Sequence, residues 1–175
     1  MRLDCTASVR RAQAGDAAAF AELYSLVYKD LYRIALLNLN NQHDASDVVS
    51  DTVLEAYSSI TKLRDEKAFK AWITKILTVK IKNKRKEYSQ INNFREELED
   101  LDESKETAVN TEIDVDGLNV MEGFKKLSSE ERMVLSLSVV SGYKSEEIAK
   151  MFGTNANTVR SKVARAKSKL KQLIT

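Results

Sequence analysis

Proline is absent from this 175-residue chain, and Cys5, His43 and five glycines are all it has of three other informative residue types. Without proline nothing breaks a helix from within, so long helices ended only by caps and turns are open to it. One cysteine makes no intrachain disulfide and no cysteine metal cluster. With one histidine and one cysteine, zinc sites, Cys–His dyads and Ser–His–Asp triads are all excluded or unsupported. His43, close to an expected helix start, reads as a surface or capping residue. The glycine motifs of phosphate loops and dinucleotide folds are missing. No run nears the ~18 apolar residues of a membrane span. The opening residues, MRLDCTASVRRAQ, lack the apolar core of a secretion signal, so the chain is expected in the cytoplasm. Composition leaves carboxylate-only catalysis open, but nothing points to it. No metal, cofactor or catalytic residue is expected. Sustained strand alternation is missing too, which makes the class all-α.

What is present is a concentrated basic end. Asn155 to Thr175 carries Arg160, Lys162, Arg165, Lys167, Lys169 and Lys171 and no acid. Val159, Val163, Ala166, Leu170 and Leu173 recur on one helical stripe, with the cations largely off it. Ahead of it, Ser145 to Gly153 reads as a short helix, with Ser145 as cap, Glu146 and Glu147 at its positive end and Gly153 as its stop. A short helix, a turn and a longer basic helix are the layout of a helix-turn-helix, whose second helix enters the major groove. A cationic terminal helix is also commonly just a solvated one. The missing acids, the placed cap and turn, and the apolar residues Ile148, Ala149, Met151 and Phe152 favour DNA binding.

Charge is segregated elsewhere as well. Ten acids lie between Glu96 and Asp116 against Lys105 alone, and outside that segment the chain holds 27 basic and 16 acidic residues. Such a segment reads as an extended linker, and it divides the chain into domains at 1–95 and 117–175, joined by 96–116. In the first, a short helix ends near Gly15 and Asp16 caps a second carrying Phe20, Leu23, Tyr24, Val27, Leu31, Ile34 and Ala35. A third helix is expected from a cap at Asp44 to about Ile60, with Asp44, Asp47, Asp51 and Glu55 as an acidic ridge. Such ridges are usually wet faces and equally suit docking to a partner. After a connector from Thr61 to Glu66, a fourth helix is expected to run to about Glu87 on Phe69, Trp72, Ile73 and Ile76. Lys62 to Lys86 holds ten basic residues against Asp65 and Glu66. A basic stripe beside aromatics suits single-stranded DNA, although a lone Trp beside Phe is more often core. In the second domain, a cap at Ser128 or Ser129 opens the helix that supports the helix-turn-helix.

These residues resemble a bacterial sigma factor of the extracytoplasmic-function (ECF) branch of the sigma-70 family, which keeps only regions two and four. Gly15-Asp16, Ala19-Phe20, Leu23-Tyr24, Tyr28, Leu31-Tyr32, Asp44 to Thr52 and Phe69 to Ile76 are similar to region two. Leu127, Glu130 to Arg132, Val134-Leu135, Glu146 to Ala149, Thr158 to Ser161 and Arg165-Ala166 are similar to region four. Leu77 and Val79 depart from the family's Ala-x-Asn, Ser128 from its proline, Ala156-Asn157 from its Glu-Gly and Lys162 from its arginine.

The resemblance implies a fold of two small helical domains and a list of roles. Asp44, Asp47, Val48, Asp51 and Glu55 fall where the family docks on the clamp helices of the RNA polymerase β′ subunit, and region four where it meets the β flap. Leu63, Arg64, Lys67, Phe69, Trp72, Lys75 and Lys82 fall where the minus-ten element is captured and its melted strand held. Arg160, Ser161, Lys162, Ala164 and Arg165 fall at the minus-thirty-five bases, and Arg132, Asn157 and Thr158 at its backbone. Core RNA polymerase, promoter DNA and an anti-sigma factor are the implied partners. The rival reading is a stand-alone helix-turn-helix regulator, and a weaker one an acid-dependent enzyme with an appended DNA-binding domain. A regulator has no use for the acidic ridge and the basic, aromatic helix after it.

Overall fold

Residues 4–98 and 115–174 are described by the computed structural model, and every regular element among them is helical. The helices are α1 (Thr6–Gln13), α2 (Ala17–Leu39), α3 (Gln42–Ser59), α4 (Phe69–Leu98), α5 (Val115–Lys125), α6 (Ser129–Ser141), α7 (Ser145–Phe152) and α8 (Ala156–Ile174). Single 3-10 turns at Ile60–Lys62 and Glu66–Ala68 carry the chain from α3 to α4. The expected linker lies mostly outside the described residues, with α4 and α5 each reaching inside its expected bounds.

Capping chemistry sets most helix starts. Asp16 Oδ1 accepts the backbone N–H groups of Ala18 and Ala19 at 3.0 and 3.2 Å, opening α2 as the sequence predicts. That helix ends at Asn40, whose φ of 54° is one that asparagine tolerates better than most side chains. The cap of α3 is Asn41 rather than Asp44: Asn41 Oδ1 accepts the Asp44 N–H at 2.9 Å, so the helix starts three residues early. Asp44 is thereby released to face α4, where its carboxylate takes the Tyr88 hydroxyl and lies 3.7 Å from Lys84 Nζ.

That contact bears on a second difference. Helix α4 passes the expected end near Glu87 and reaches Leu98, a length of about 45 Å at 1.5 Å per residue. No glycine or proline interrupts Phe69 to Leu98, and Tyr88 ties the helix to α3 beyond its last fully buried turn.

The core has two centres. Leu23, Leu31 and Ile34 of α2 are buried, as are Val49 and Ala56 of α3 and Ile73, Leu77 and Ile81 of α4. Phe124, Leu135, Leu137, Ile148, Val159 and Ala166 form the second centre. The two are joined directly, because α2 packs on α6 as well as on α3 and α4. At the join sits Asn38, 1% exposed, donating from Nδ2 to Ile34 O and to Ser136 Oγ, both at 2.8 Å.

Candidate nucleic-acid interface

The α7–turn–α8 unit is built from its caps. Ser145 is the first helical residue of α7 rather than its cap; Lys144 takes that place, and Glu147 Oε2 accepts its backbone N–H at 2.8 Å. Gly153, with φ 62°, makes the left-handed turn that ends α7. Asn155 Oδ1 then accepts the Asn157 N–H at 2.7 Å and starts α8. Val159, Val163 and Ala166 are buried and Leu170 is half-buried, as the stripe predicts, but Leu173 is exposed. The apolar stripe of α8 is thus one turn shorter than its sequence period, because the helix outruns the surface beneath it.

Opposite that stripe, Asn157, Thr158, Arg160, Ser161, Ala164 and Arg165 are all exposed, and Lys162 is half-buried. Arg160 donates to Asn157 Oδ1 at 2.6 Å and is paired with Glu146 of α7. Arg165 Nε donates to Ser161 O at 3.4 Å. The absence of acids within α8 does not leave Lys162 and Lys169 unpaired. Lys162 Nζ lies 2.6 Å from Glu130 and Lys169 Nζ 2.8 Å from Glu131, both acids supplied by α6. Hydrogen bonds from those lysines hold both carboxyls below the usual range. The Glu146 carboxyl is lowered by its own backbone N–H first and by Arg160 second. Glu131 also closes the capping box of α6, in which Ser128 Oγ accepts the Glu131 N–H at 3.2 Å.

Arg132 is turned inward. Its Nε donates to Leu127 O at 3.0 Å, and its two terminal nitrogens to Asn38 O and Lys125 O at 3.3 Å. Burial lowers its pKa.

In the N-terminal group the connector is pinned by Gln13, whose Nε2 donates to Ile60 O at 2.9 Å and Leu63 O at 2.8 Å. Leu63 and Phe69 are buried and serve the core, while Trp72 is half-buried at 6.1 Å from Phe69. The exposed side chains of the connector are those of Arg64 and Lys67 among the expected site residues. On α4, Lys75 is exposed, and Lys82 is exposed with its ammonium 4.5 Å above the Phe152 ring. Lys80 turns to α3, 2.5 Å from Glu55. The acidic ridge therefore splits. Asp44, with an 18% exposed side chain, and Glu55 are engaged by α4, and Val48 is buried. Asp47 and Asp51 stay exposed beside Leu54, at 68% the most exposed large apolar residue among the described ones. Leu54 escaped the sequence reading; its place seven residues after Asp47, on the same helical face, was the available signal.

A groove of about 710 Å³ runs between the two groups, with Lys82, Arg85, Lys86 and Lys162 on its walls and Met133, Val134 and Phe152 among its apolar lining.

Comparison with known proteins agrees with this geometry. The model of "Sigma-70 region 2" matches residues 21–90 and that of "Sigma-70, region 4" matches residues 118–170. RNA polymerase sigma factor SigV of Bacillus subtilis is 30% identical over 79% of this chain and 80% of its own. RNA polymerase sigma factor NccH of Alcaligenes xylosoxydans is 27% identical over 96% of this chain and 93% of its own. Among solved structures, the sigma factor RpoE in complex with the anti-sigma factor NepR from Bartonella quintana covers 89% of this chain and 96% of its own, at 25% identity and a TM-score of 0.66. CnrH in complex with the cytosolic domain of CnrY shares the fold at 21% identity and a TM-score of 0.68, over 97% of this chain and 96% of its own. With regions two and four both matched in order, the chain belongs to the sigma-70 family, as an ECF sigma factor of transcription initiation.

Proposed function

We propose that this sigma factor docks on core RNA polymerase through the exposed Asp47, Asp51 and Leu54 of α3 and reads the minus-thirty-five element through α8. The exposed face of α8 carries the proposal: Asn157, Thr158, Arg160, Ser161, Ala164 and Arg165 stand together above a buried apolar stripe. Arginine can engage guanine through two hydrogen bonds in the major groove, and Arg160 and Arg165 are the two residues of this face equipped to do so. Arg64, Lys67 and Lys75 present exposed cations to the melted minus-ten strand, and Lys82 and Lys86 extend that track along α4. Leu63 and Phe69 support the connector from below. Residues 1–95 and 117–175 are the two working units, and the segment between them spans the two promoter elements.

The chain itself breaks no covalent bond; the polymerase supplies the chemistry, in the cytoplasm. An anti-sigma factor is a partner, a reading supported by the RpoE relative solved with NepR. Fluorescence-anisotropy titration of the full chain with duplexes that carry or lack a selected minus-thirty-five sequence tests the α8 assignment. Preference for the selected duplex is the expected result, and equal affinity for both overturns it.

A further inference from the structure

We propose that Glu146 of α7 is a positioning residue for base reading: it holds the Arg160 guanidinium ready for guanine and keeps it off the phosphates. The proposal rests on the assignment of Arg160 to the minus-thirty-five bases. It starts from a difference among the cations of α8. Lys162 and Lys169 are paired backward onto α6, and the hydrogen bond of Arg165 goes to the Ser161 carbonyl of its own helix. Arg160, by contrast, is paired across the turn with Glu146, the second residue of α7.

Two acceptors from different helices hold that guanidinium. Its Nη2 donates to Glu146 Oε1, and its Nη1 to Asn157 Oδ1 at 2.6 Å. The Asn157 backbone is itself fixed by Asn155 Oδ1 at 2.7 Å. The ion pair supports the fold little, since both side chains are more than half exposed and solvent screens them. What it sets is orientation. A guanidinium has five N–H donors, and one spent on each acceptor leaves three, enough for the two-pronged contact with guanine O6 and N7. An arginine that is not held must be ordered when DNA binds, which opposes affinity. The carboxylate has a second effect. Phosphates compete with base edges for an arginine near DNA, and a fixed negative charge beside the guanidinium disfavours them. Glu146 stays ionised at neutral pH, because its own backbone N–H and then Arg160 lower its pKa. It thus weakens binding to random DNA and sharpens discrimination, a signature opposite to that of a residue that only supports α7.

The test is a mutant cycle on the full chain, read by anisotropy on the selected minus-thirty-five duplex and on random duplex over a salt series. Glu146→Gln keeps the shape and removes the charge, and the melting temperature should not change. The ratio of the two affinities should fall roughly two- to tenfold, the scale of ordering one long side chain. Random duplex should bind as tightly as before or tighter, with a salt slope steeper by up to about one as Arg160 turns to phosphate. In an Arg160→Ala background the same change should leave the ratio where Arg160→Ala put it, because Glu146 acts through Arg160. An unchanged ratio in Glu146→Gln, a lowered melting temperature, or equal weakening on both duplexes overturns the proposal and leaves base reading by Arg160 standing. A ratio that falls as far without Arg160 as with it overturns it too, by giving Glu146 a base contact of its own. A parent chain without preference, or an Arg160→Ala chain that keeps the preference, overturns base reading by Arg160 and the role of Glu146 with it.

Discussion

Changing Arg160 to alanine separates base reading from fold and from general charge attraction. Among the described residues Arg160 hydrogen-bonds Asn157 and pairs with Glu146, and both members of the ion pair are more than half exposed. Solvent screens such pairs, so their loss alters stability little, and Val159 and Val163 continue to anchor α8. On cognate DNA, a bidentate arginine–guanine contact discriminates by about 1–3 kcal/mol, or roughly 5- to 150-fold in affinity. Arg160→Ala should therefore lose that factor on the selected minus-thirty-five duplex and only a fewfold on random duplex, with an unchanged thermal midpoint. Anisotropy titrations over a salt series supply both constants and the counterion slope. Lys171→Ala should instead weaken both duplexes alike and flatten the slope by about one. Equal loss on both duplexes for Arg160→Ala would make it a phosphate contact and refute the assignment.

Three further outcomes follow from the packing. The carboxyls of Glu130 and Glu131 are depressed by Lys162 and Lys169, so their contribution is complete above the ordinary value of 4.5 and is lost as pH falls through the depressed folded values; Lys169→Met should blunt that acid-side loss of melting temperature, and an identical pH profile would contradict the pairing of Glu131 with Lys169. Leu137→Ala removes a fully buried side chain and should lower unfolding free energy by about 2–5 kcal/mol in urea titrations, whereas a loss below ~1 kcal/mol would mean that α6 does not form the second core centre. Tyr88→Phe deletes the hydroxyl on Asp44 and should cost about 1 kcal/mol, with faster amide exchange confined to the end of α4; unchanged exchange beyond Glu87 would leave the helix's length without this cause.

Which parts of this structure were legible in the sequence follows from the range of the forces involved. Caps and stripes are local, so Asp16, Ser128, Gly153 and the Val159–Val163–Ala166 face were readable from a few neighbouring residues. Where two local caps competed, as at Asn41 and Asp44, period alone did not choose between them, and the loser was claimed by Tyr88, 44 residues away. The pairing of Lys162 and Lys169 with acids 32 and 38 residues earlier is tertiary and leaves no mark within α8. The same holds for the Asn38 node. Asn38 sits one residue from the end of α2 and reads as a polar helix terminus until α6 and Arg85 close on it. The splitting of the acidic ridge has a similar origin, since Lys84 and Tyr88 of α4 engage Asp44 and Lys80 engages the exposed Glu55, while Asp47 and Asp51 face away from α4.

The most direct measurement is binding of the full chain to core RNA polymerase, followed by transcription from a template bearing the selected promoter. The parent chain should bind core and direct promoter-dependent initiation. The doubly charge-reversed Asp47→Lys, Asp51→Lys chain should keep its helical signal and melting temperature and lose core binding. Core affinity unchanged in that folded variant, or no promoter-dependent transcript with the parent chain, would contradict the docking face and the initiation role assigned to it.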